Sequence, residues 1–319
     1  DEGYIEDVIK TLFEVILNPN VCNDEFDLKT FNIVKERLRR EINSLKENPV
    51  KQSIKEAIKT MDSNSPTSYE ILGTIEELEN ITPAKLYNAY KSLRKNFKVD
   101  VFLIGNLDMD NVASLIKKYF KNRYIVSDNF EVMVDNKETK KVKEKAMKSD
   151  NIQTNLVMLF NLKNLSELEK NITLNCFNYL YGSGGLTSKL YKSIREENSL
   201  CYAINSMYLK YDKLLMVQIS LDNCNVKKAI SLVKKELKSM QNGNFSEEEV
   251  RDAINNMVIS LDMSLDNNIA ILNNYVFNIY DKLPSIEERK EYFKKLTQED
   301  IVNVSKKVKL NTIFTLEGR

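Results

Sequence analysis

The chain has 319 residues, of which 42% are hydrophobic and 29% are charged, and its formal net charge at pH 7 is +1. This composition is typical of a soluble globular protein of about two domains. So small a net charge excludes a global field that would attract nucleic acid or an anionic membrane. The absence of histidine excludes Ser-His-Asp and Cys-His catalytic groups, and also zinc sites built on H-E-x-x-H.

Other features indicate a cytoplasmic protein that does not enter a membrane. The longest apolar runs, such as 156–160, are far shorter than the roughly 20 residues that cross a bilayer, and the acidic start of the chain does not resemble a signal peptide. The four cysteines form no C-x-x-C pair and stand in apolar surroundings, so we expect buried free thiols in a reducing compartment. These cysteines are Cys22, Cys176, Cys201 and Cys224.

The first 126 residues are predicted to be mostly helical, because apolar residues recur at helical spacing in several segments. The predicted helices cover 4–17, 27–45, 50–61, 74–78, 82–95 and 109–119. The run V-D-V-F-L-I at 99–104 predicts a strand. Residues 127–150 are polar and rich in lysine, and we interpret them as a linker. Their lysines lack the interleaved aromatic residues of a nucleic-acid site.

The second half of the chain, residues 151–319, alternates strands and helices. The predicted strands cover 154–160, 202–209, 214–221 and 312–316, and the predicted helices cover 165–181, 226–240, 246–263, 267–280, 285–295 and 297–307. Ser246 is an expected N-cap with acidic residues in the first helical turn.

One unit of sequence occurs twice, with a period near 217 residues. Thr82 and Thr297, two expected N-caps, stand 215 positions apart, and the segments 26–37 and 245–256 are similar at a separation of 219. The first copy lacks roughly 70 residues by this alignment, including the counterparts of three strands. Such a gap would leave an open sheet edge, so either the chain is a fragment or another chain fills the gap.

A glycine-rich stretch from Tyr181 to Tyr202 is the least ordinary part of the sequence. It reads Y-G-S-G-G-L-T-S-K-L-Y-K-S-I-R-E-E-N-S-L-C-Y, and three of the eight glycines of the chain fall at its start. The pattern G-x-x-x-x-G-K-[ST] of a phosphate loop is not met. From the residues alone, two interpretations of Arg195 and Tyr202 stay open: a surface pair of Arg195 with a neighbouring glutamate and a core tyrosine, or two functional groups.

This stretch is similar to the C-terminal-domain signature of the pitrilysin/insulinase-type metallopeptidases, which has a glycine-rich start followed by R-E-x-x-G-L-x-Y. The spacing of seven residues between Arg195 and Tyr202 agrees, whereas Lys189, Ser199 and Cys201 depart from the usual Arg, Gly and Ala. The resemblance extends over nearly the whole chain. It implies an α+β fold of two related domains, each an antiparallel sheet covered by helices as in the mitochondrial processing peptidase, here with the first domain incomplete. The expected domains are 1–126, a linker at 127–150, and 151–319.

The resemblance also implies zinc chemistry that this chain does not contain by itself. The family carries the inverted motif H-x-x-E-H, which is absent, and Glu41 matches its third zinc ligand while Val34 replaces another acidic residue of that pattern. One carboxylate without histidines cannot hold zinc, so we expect no zinc on this chain alone. For the chain by itself we favour the interpretation of Glu41 as a solvated helix residue between charged neighbours.

By the same resemblance, Arg195 and Tyr202 bind the peptide substrate and stabilise the oxyanion. The resemblance also implies that Gly182, Gly184 and Gly185 lie beside the substrate path. Two origins remain open: the downstream part of an active peptidase, or the zinc-lacking partner of a two-subunit peptidase, which we favour. The expected partners are a peptide substrate and a zinc-motif subunit in a homo- or hetero-oligomer. An inactive scaffold or peptide-binding subunit is the alternative.

Overall fold

A computed structural model describes residues 4–96, 99–119, 134, 136, 139 and 141–319. By their contacts these residues form two compact units. The N-terminal unit comprises the described residues of Asp1–Ser44 and Glu70–Glu131, and the C-terminal unit those of Leu45–Tyr69 and Val132–Arg319. The domain limits expected from the sequence stay a prediction, because packing contacts do not test which segments fold independently.

Twelve helices run through the described residues, most of them where the sequence predicts one. They are α1 (Ile5–Leu17), α2 (Leu28–Glu47), α3 (Pro49–Met61), α4 (Ile75–Glu79), α5 (Pro83–Asn96), α6 (Met109–Tyr119), α7 (Leu174–Asn178), α8 (Val226–Gln241), α9 (Glu247–Ser264), α10 (Asn268–Asp281), α11 (Ile286–Lys294) and α12 (Gln298–Ser305). Wider helical turns flank α7 at Glu169–Thr173 and Tyr179–Ser183, and another spans Tyr191–Glu196. Among the described residues, none of the helices is both long and apolar enough to cross a bilayer.

Seven strands are described, and five of them form one sheet in the C-terminal unit. The strands are β1 (Val21–Cys22), β2 (Glu25–Phe26), β3 (Lys143–Lys148), β4 (Thr154–Leu162), β5 (Cys201–Leu209), β6 (Leu214–Leu221) and β7 (Val308–Glu317). The sheet order is β3-β7-β4-β6-β5, which leaves β5 at one edge. The predicted α+β class is confirmed, but the sheet is mixed because β3 runs parallel to β7.

The core of the C-terminal unit lies on both faces of the central strand β4, whose nine residues are all buried. Since side chains alternate along a strand, Leu156, Met158 and Phe160 join the larger cluster under the C-terminal helices. Val157 and Leu159 face the other way, where they pack in one cluster with Ala57 and Met61 of α3. A helix from the first half of the sequence therefore covers the second face of this sheet.

The structure supports the repeat at its helix caps. Asn48 caps α3 by accepting a hydrogen bond from the backbone of Lys51, and Asn267, 219 positions later, caps α10 in the same way. Thr82 and Thr297 each accept a bond of 3.2 Å from the backbone N–H three residues on. Equivalent side chains thus begin equivalent helices in the two copies.

Two predictions from the first half of the sequence differ from the structure. Residues 99–104 form neither helix nor strand, so the predicted strand is wrong. Their repeat counterpart β7 is a strand because it pairs with β3 and β4, and in the described N-terminal unit the only strands are those of the short β1–β2 hairpin. The predicted linker ends in β3 rather than in coil, and its residues 127–133, 135, 137, 138 and 140 lie outside the described residues.

Candidate functional site

Arg195 lies in the last helical turn before the edge strand β5. The Leu200 amide donates to the Ile194 carbonyl (3.0 Å) and the Ser199 amide donates to the Arg195 carbonyl (3.1 Å). The second bond, from a residue in the left-handed region to the carbonyl four positions earlier, ends many helices. Ser199 has a φ of 51°, a backbone conformation that glycine adopts without strain. This conformation gives a physical reason for the glycine that the resembling peptidases often have at this position.

Tyr202 is the extra residue of a β-bulge at the start of β5. Cys201 pairs with Leu221 and Ala203 pairs with Ser220, so Tyr202 has no partner of its own in β6. The Arg195 guanidinium donates a hydrogen bond to the Tyr202 carbonyl and lies 5.3 Å from the centre of the Tyr191 ring. Because a bulge re-aims its side chain, Tyr202 is 52% exposed instead of joining the core, and Arg195 is also exposed.

The Tyr202 hydroxyl donates a hydrogen bond of 2.9 Å to the Asp222 carboxylate. This bond and the negative charge of Asp222 raise the pKa of Tyr202 above its ordinary value, because they favour the protonated phenol. Asp222 is not among the functional residues predicted from the sequence. An acidic residue directly after a buried strand was the available signal, but only the sheet register places it beside Tyr202.

The three glycines expected to bind substrate differ in the space around a Cβ atom and in backbone conformation. A side chain at Gly182 would meet Ser206 Oγ at 2.6 Å, and one at Gly184 would meet the Tyr179 carbonyl at 2.6 Å, so close packing explains both. Gly185 has a φ of 60° and faces open space. Gly185 alone of the three is exposed, and a substrate-binding role for the glycines stays a prediction.

Lys189 ties the glycine segment to the start of α9. Its ammonium donates to both carboxylate oxygens of Glu249, at 2.8 and 3.0 Å. Partial burial acts to raise the pKa of Glu249, but the hydrogen bonds from Lys189 and from the Ser246 backbone together lower it. The glycine segment that precedes Arg195 is therefore held by a charged pair as well as by apolar packing.

The residues of this chain do not fit a zinc site. Glu41 is exposed on α2, and among the described residues no three His, Cys, Asp or Glu side chains lie close enough together to hold a metal ion. The whole sequence has no histidine, whereas protein zinc sites with oxygen ligands usually include imidazole. The cysteine prediction is wrong for two positions, since Cys22 and Cys224 are exposed while Cys176 is buried.

Comparison with known proteins decides the family. Residues 80–257 match the family model "Peptidase M16 inactive domain", which is more than half of the chain. This chain belongs to the M16 peptidase inactive-domain family. The pitrilysin-type resemblance is thereby confirmed, together with the expectation that the chain lacks the zinc motif.

One relative is similar in sequence to this chain, and two solved structures are similar to it in fold. The chain is 25% identical over 320 residues to the probable inactive metalloprotease YmfF of Bacillus subtilis (strain 168), covering 98% of this chain and 74% of YmfF. A conserved protein from Enterococcus faecalis V583 has a TM-score of 0.91 at 22% identity, over 100% of this chain and 77% of its own. The peptidase M16 inactive domain from Pseudomonas fluorescens has a TM-score of 0.77 at 16% identity, over 98% and 75%. These structures share the fold of this M16 chain.

Proposed function

We propose that this M16 chain is a non-hydrolytic peptidase subunit that binds peptide substrate and donates hydrogen bonds to the reacting carbonyl, while a partner subunit carries the zinc motif. The observation that supports the proposal best is the bulge at Tyr202, which exposes the tyrosine beside Arg195 at the edge of the sheet. A tyrosine that served only to pack in the core would be buried, because exposure of its ring adds nothing to the stability of the fold.

Arg195 is suited to hold a peptide. A guanidinium has five N–H donors, and one of them is directed to the Tyr202 carbonyl. The exposed remainder of the group can donate to a substrate carbonyl or to a C-terminal carboxylate, the latter with two parallel hydrogen bonds. Its contact with the Tyr191 ring, at 5.3 Å, also limits the motion of the group before substrate arrives.

Tyr202 can stabilise an oxyanion only if its hydroxyl stops donating its hydrogen bond to the Asp222 carboxylate and donates to the oxyanion instead. A phenol has one O–H, and in the free chain that O–H points to Asp222. A phenol with the ordinary pKa of 10.0 is already protonated at neutral pH, and the pKa of Tyr202 is raised above that value, so a donor is present when substrate binds. A developing oxyanion nearby is a strong acceptor that can compete for this proton.

Zinc, in this proposal, belongs to the partner subunit, where it would activate water and polarise the scissile carbonyl. Glu41 is exposed, and within the described part of the chain it belongs to no group of side chains that could hold a metal ion. If zinc belongs to a partner, this chain binds peptide and forms a hetero-oligomer with a subunit that carries the zinc motif. The compartment that we propose for this complex is the cytoplasm.

The test is peptide hydrolysis measured on the full-length protein with zinc, first alone and then mixed with an M16 subunit that carries H-x-x-E-H. We expect activity only in the mixture. Tyr202→Phe should lower kcat on the order of 10²-fold, the usual effect of removing one oxyanion donor. Arg195→Ala removes a contact that holds the substrate, so it should mainly raise KM. Arg251→Ala and Tyr275→Phe are matched controls, because both side chains are exposed elsewhere in the C-terminal unit.

The same experiment separates this proposal from an inactive scaffold. A scaffold would form the complex and support activity, but activity would be unaffected by Arg195→Ala and Tyr202→Phe. That result would contradict the contribution of both residues. Circular dichroism of each variant establishes that a loss of activity does not come from unfolding.

A further inference from the structure

A cavity in the C-terminal unit is bounded by β5, α10, α11 and the helical residues 170–175. It encloses about 430 Å³, which is within the usual range for small-molecule sites, about 300–1,000 Å³. Its lining combines polar side chains with an apolar patch of Ala270, Phe277 and Leu283. Tyr208 of β5 lines it six residues beyond Tyr202, about 20 Å along the strand. The cavity is therefore separate from the Arg195–Tyr202 site.

The lining of this cavity carries more positive than negative charge. It includes three cationic side chains, Lys170, Lys210 and Arg289, and one carboxylate, that of Asp281. Lys210 forms an ion pair with that carboxylate. Lys170 lies 2.7 Å from the Glu167 carboxylate. The charge of Arg289 is the one that these pairs leave unbalanced.

Arg289 brings a half-buried guanidinium to the cavity. It donates a hydrogen bond to the neutral amide oxygen of Asn274, while its Nε has no hydrogen-bond partner among the described residues. Burial lowers the pKa of Arg289 below its ordinary value, because desolvation penalises the charged form. Since a buried charge is ordinarily paired, this guanidinium favours an anionic ligand.

Two more side chains of the lining hold polar atoms that have no partner in the described part of the chain. Asn171 is only 6% exposed, and its Oδ1 accepts no hydrogen bond; the Tyr208 hydroxyl is likewise shielded and unbonded. α11, which carries Arg289, packs against residues 169–173, so all three groups converge. Because buried polar groups are nearly always hydrogen-bonded, their convergence on one cavity indicates a binding site.

We propose that this cavity binds an α-amino acid or the C-terminal residue of a peptide, two ligands that share a carboxylate beside an N–H donor. The carboxylate accepts hydrogen bonds from Arg289 and Tyr208, since a planar guanidinium can hold it with two parallel bonds. The N–H donates to Asn171 Oδ1, which can turn toward the ligand because the terminal torsion of asparagine is broad. An apolar ligand side chain packs on Phe277 and Leu283.

The acceptor and the apolar patch favour this ligand over an inorganic anion. Sulfate would pair with Arg289 but has no donor for Asn171 Oδ1, and it would leave Phe277 and Leu283 uncovered. The inference does not rest on the function proposed above, because it requires neither zinc nor a partner subunit. It can therefore be tested on this chain alone.

The experiment is isothermal titration calorimetry of the full chain with L-leucine, N-acetyl-L-leucine and L-leucinamide. We expect saturable binding of leucine or of N-acetyl-leucine, and none of leucinamide, which lacks the carboxylate. Preference for leucine would identify a free amino acid as the ligand, and preference for N-acetyl-leucine a peptide C-terminus.

Two substitutions locate the binding. Arg289→Gln should weaken it at least about tenfold, since a charged hydrogen bond is lost, and Tyr208→Phe should weaken it several-fold. Arg251→Gln and Tyr275→Phe are matched controls, because both residues are exposed in the same unit and neither lines the cavity.

The unliganded variants separate a binding role from a structural one. The Tyr208 hydroxyl makes no hydrogen bond to the described residues, so Tyr208→Phe should keep the urea unfolding midpoint of the free chain while it weakens ligand binding. This variant keeps the test decisive even if Arg289→Gln does not fold.

Three results would overturn the proposal. The first is that neither carboxylate probe binds, at millimolar concentration, to a chain that circular dichroism shows to be folded. The second is binding of leucinamide as tight as that of leucine. The third is binding that Arg289→Gln and Tyr208→Phe leave unchanged; if Arg195→Ala then removes it, the ligand lies in the site proposed for peptide substrate.

Discussion

Tyr202 and Asp222 are 20 residues apart in sequence, yet the tyrosine hydroxyl donates a 2.9 Å hydrogen bond to the aspartate carboxylate at the edge of the sheet. The hydrogen bond and the charge both disfavour the phenolate, which is why the pKa of Tyr202 is raised. Asp222→Asn should therefore lower the pKa of Tyr202 toward its ordinary value of 10.0. The titration can be followed by NMR of ¹³C-labelled tyrosine, with Tyr202→Phe to assign the signal.

Tyr211 is the internal control for this titration. Its hydroxyl lies 3.3 Å from the Asp281 carboxylate, and burial raises the pKa of Tyr211 to about 12. Asp222→Asn should leave that value unchanged. A Tyr202 pKa that does not move in Asp222→Asn would contradict the hydrogen bond and the proton competition proposed for the oxyanion.

Gly182 and Gly185 should respond differently to the same substitution. Gly182→Ala forces a Cβ within 2.6 Å of Ser206 Oγ and 2.9 Å of Leu190 Cδ1, and we expect a loss of about 1–3 kcal/mol in unfolding free energy from overpacking. Gly185→Ala meets no atom, but its φ of 60° costs about 1–2 kcal/mol. Gly185→Asn should recover part of that loss, because asparagine tolerates the left-handed region.

Urea unfolding of the three variants measures these differences. Equal stability of Gly185→Asn and Gly185→Ala would show that the backbone conformation is not what selects glycine at that position. An unchanged unfolding midpoint in Gly182→Ala would contradict the close contact with Ser206.

Features that depend on local sequence are the ones that the sequence predicts well. Ser246 and Thr297 form capping boxes with Glu249 and Asp300, and each needs only a spacing of three residues. The strand 214–221 is predicted with its observed limits, because a short, mainly apolar run, here with Gln218 and Ser220 as its polar members, marks a buried strand. The family signature likewise lies within one contiguous stretch.

Features that depend on distant pairing are the ones that the sequence does not predict. Residues 99–104 have the composition of a strand, but strand formation needs a neighbour to satisfy the backbone, and the described N-terminal unit offers them none. Asp222 reaches Tyr202 only through the register of β5 with β6, and the bulge that exposes Tyr202 leaves no trace in the sequence. Such contacts are properties of the assembled sheet.

The cysteines should differ sharply in their reaction with iodoacetamide. Burial raises the pKa of Cys176 to about 12, so almost no thiolate is present at pH 8, and the side chain is inaccessible. We expect Cys22 and Cys224, which are exposed, to be alkylated in the native protein while Cys176 is not. Mass spectrometry of tryptic peptides reads this directly, and all four cysteines should react in guanidinium chloride. Alkylation of Cys176 at the rate of Cys22 would contradict the described core.

The Lys189–Glu249 pair should make stability depend on pH in acid. Glu249 also serves as the acidic member of the Ser246 capping box, and glutamine can fill that role, so Glu249→Gln removes the charge while it keeps the cap. We expect Glu249→Gln to lose about 0.5–1 kcal/mol of unfolding free energy at pH 7, since the pair is only partly buried.

The folded-state pKa of Glu249 lies below the ordinary 4.5. The stabilisation that the Glu249 carboxylate provides is therefore complete above pH 4.5 and declines as the pH falls through the lowered value. The difference between wild type and Glu249→Gln in unfolding free energy should therefore shrink in acid. Glu248→Gln, an exposed change in the same helical turn, is the control that should show no such trend, and a difference that stays constant down to pH 3 would mean that Lys189 does not stabilise the Glu249 carboxylate.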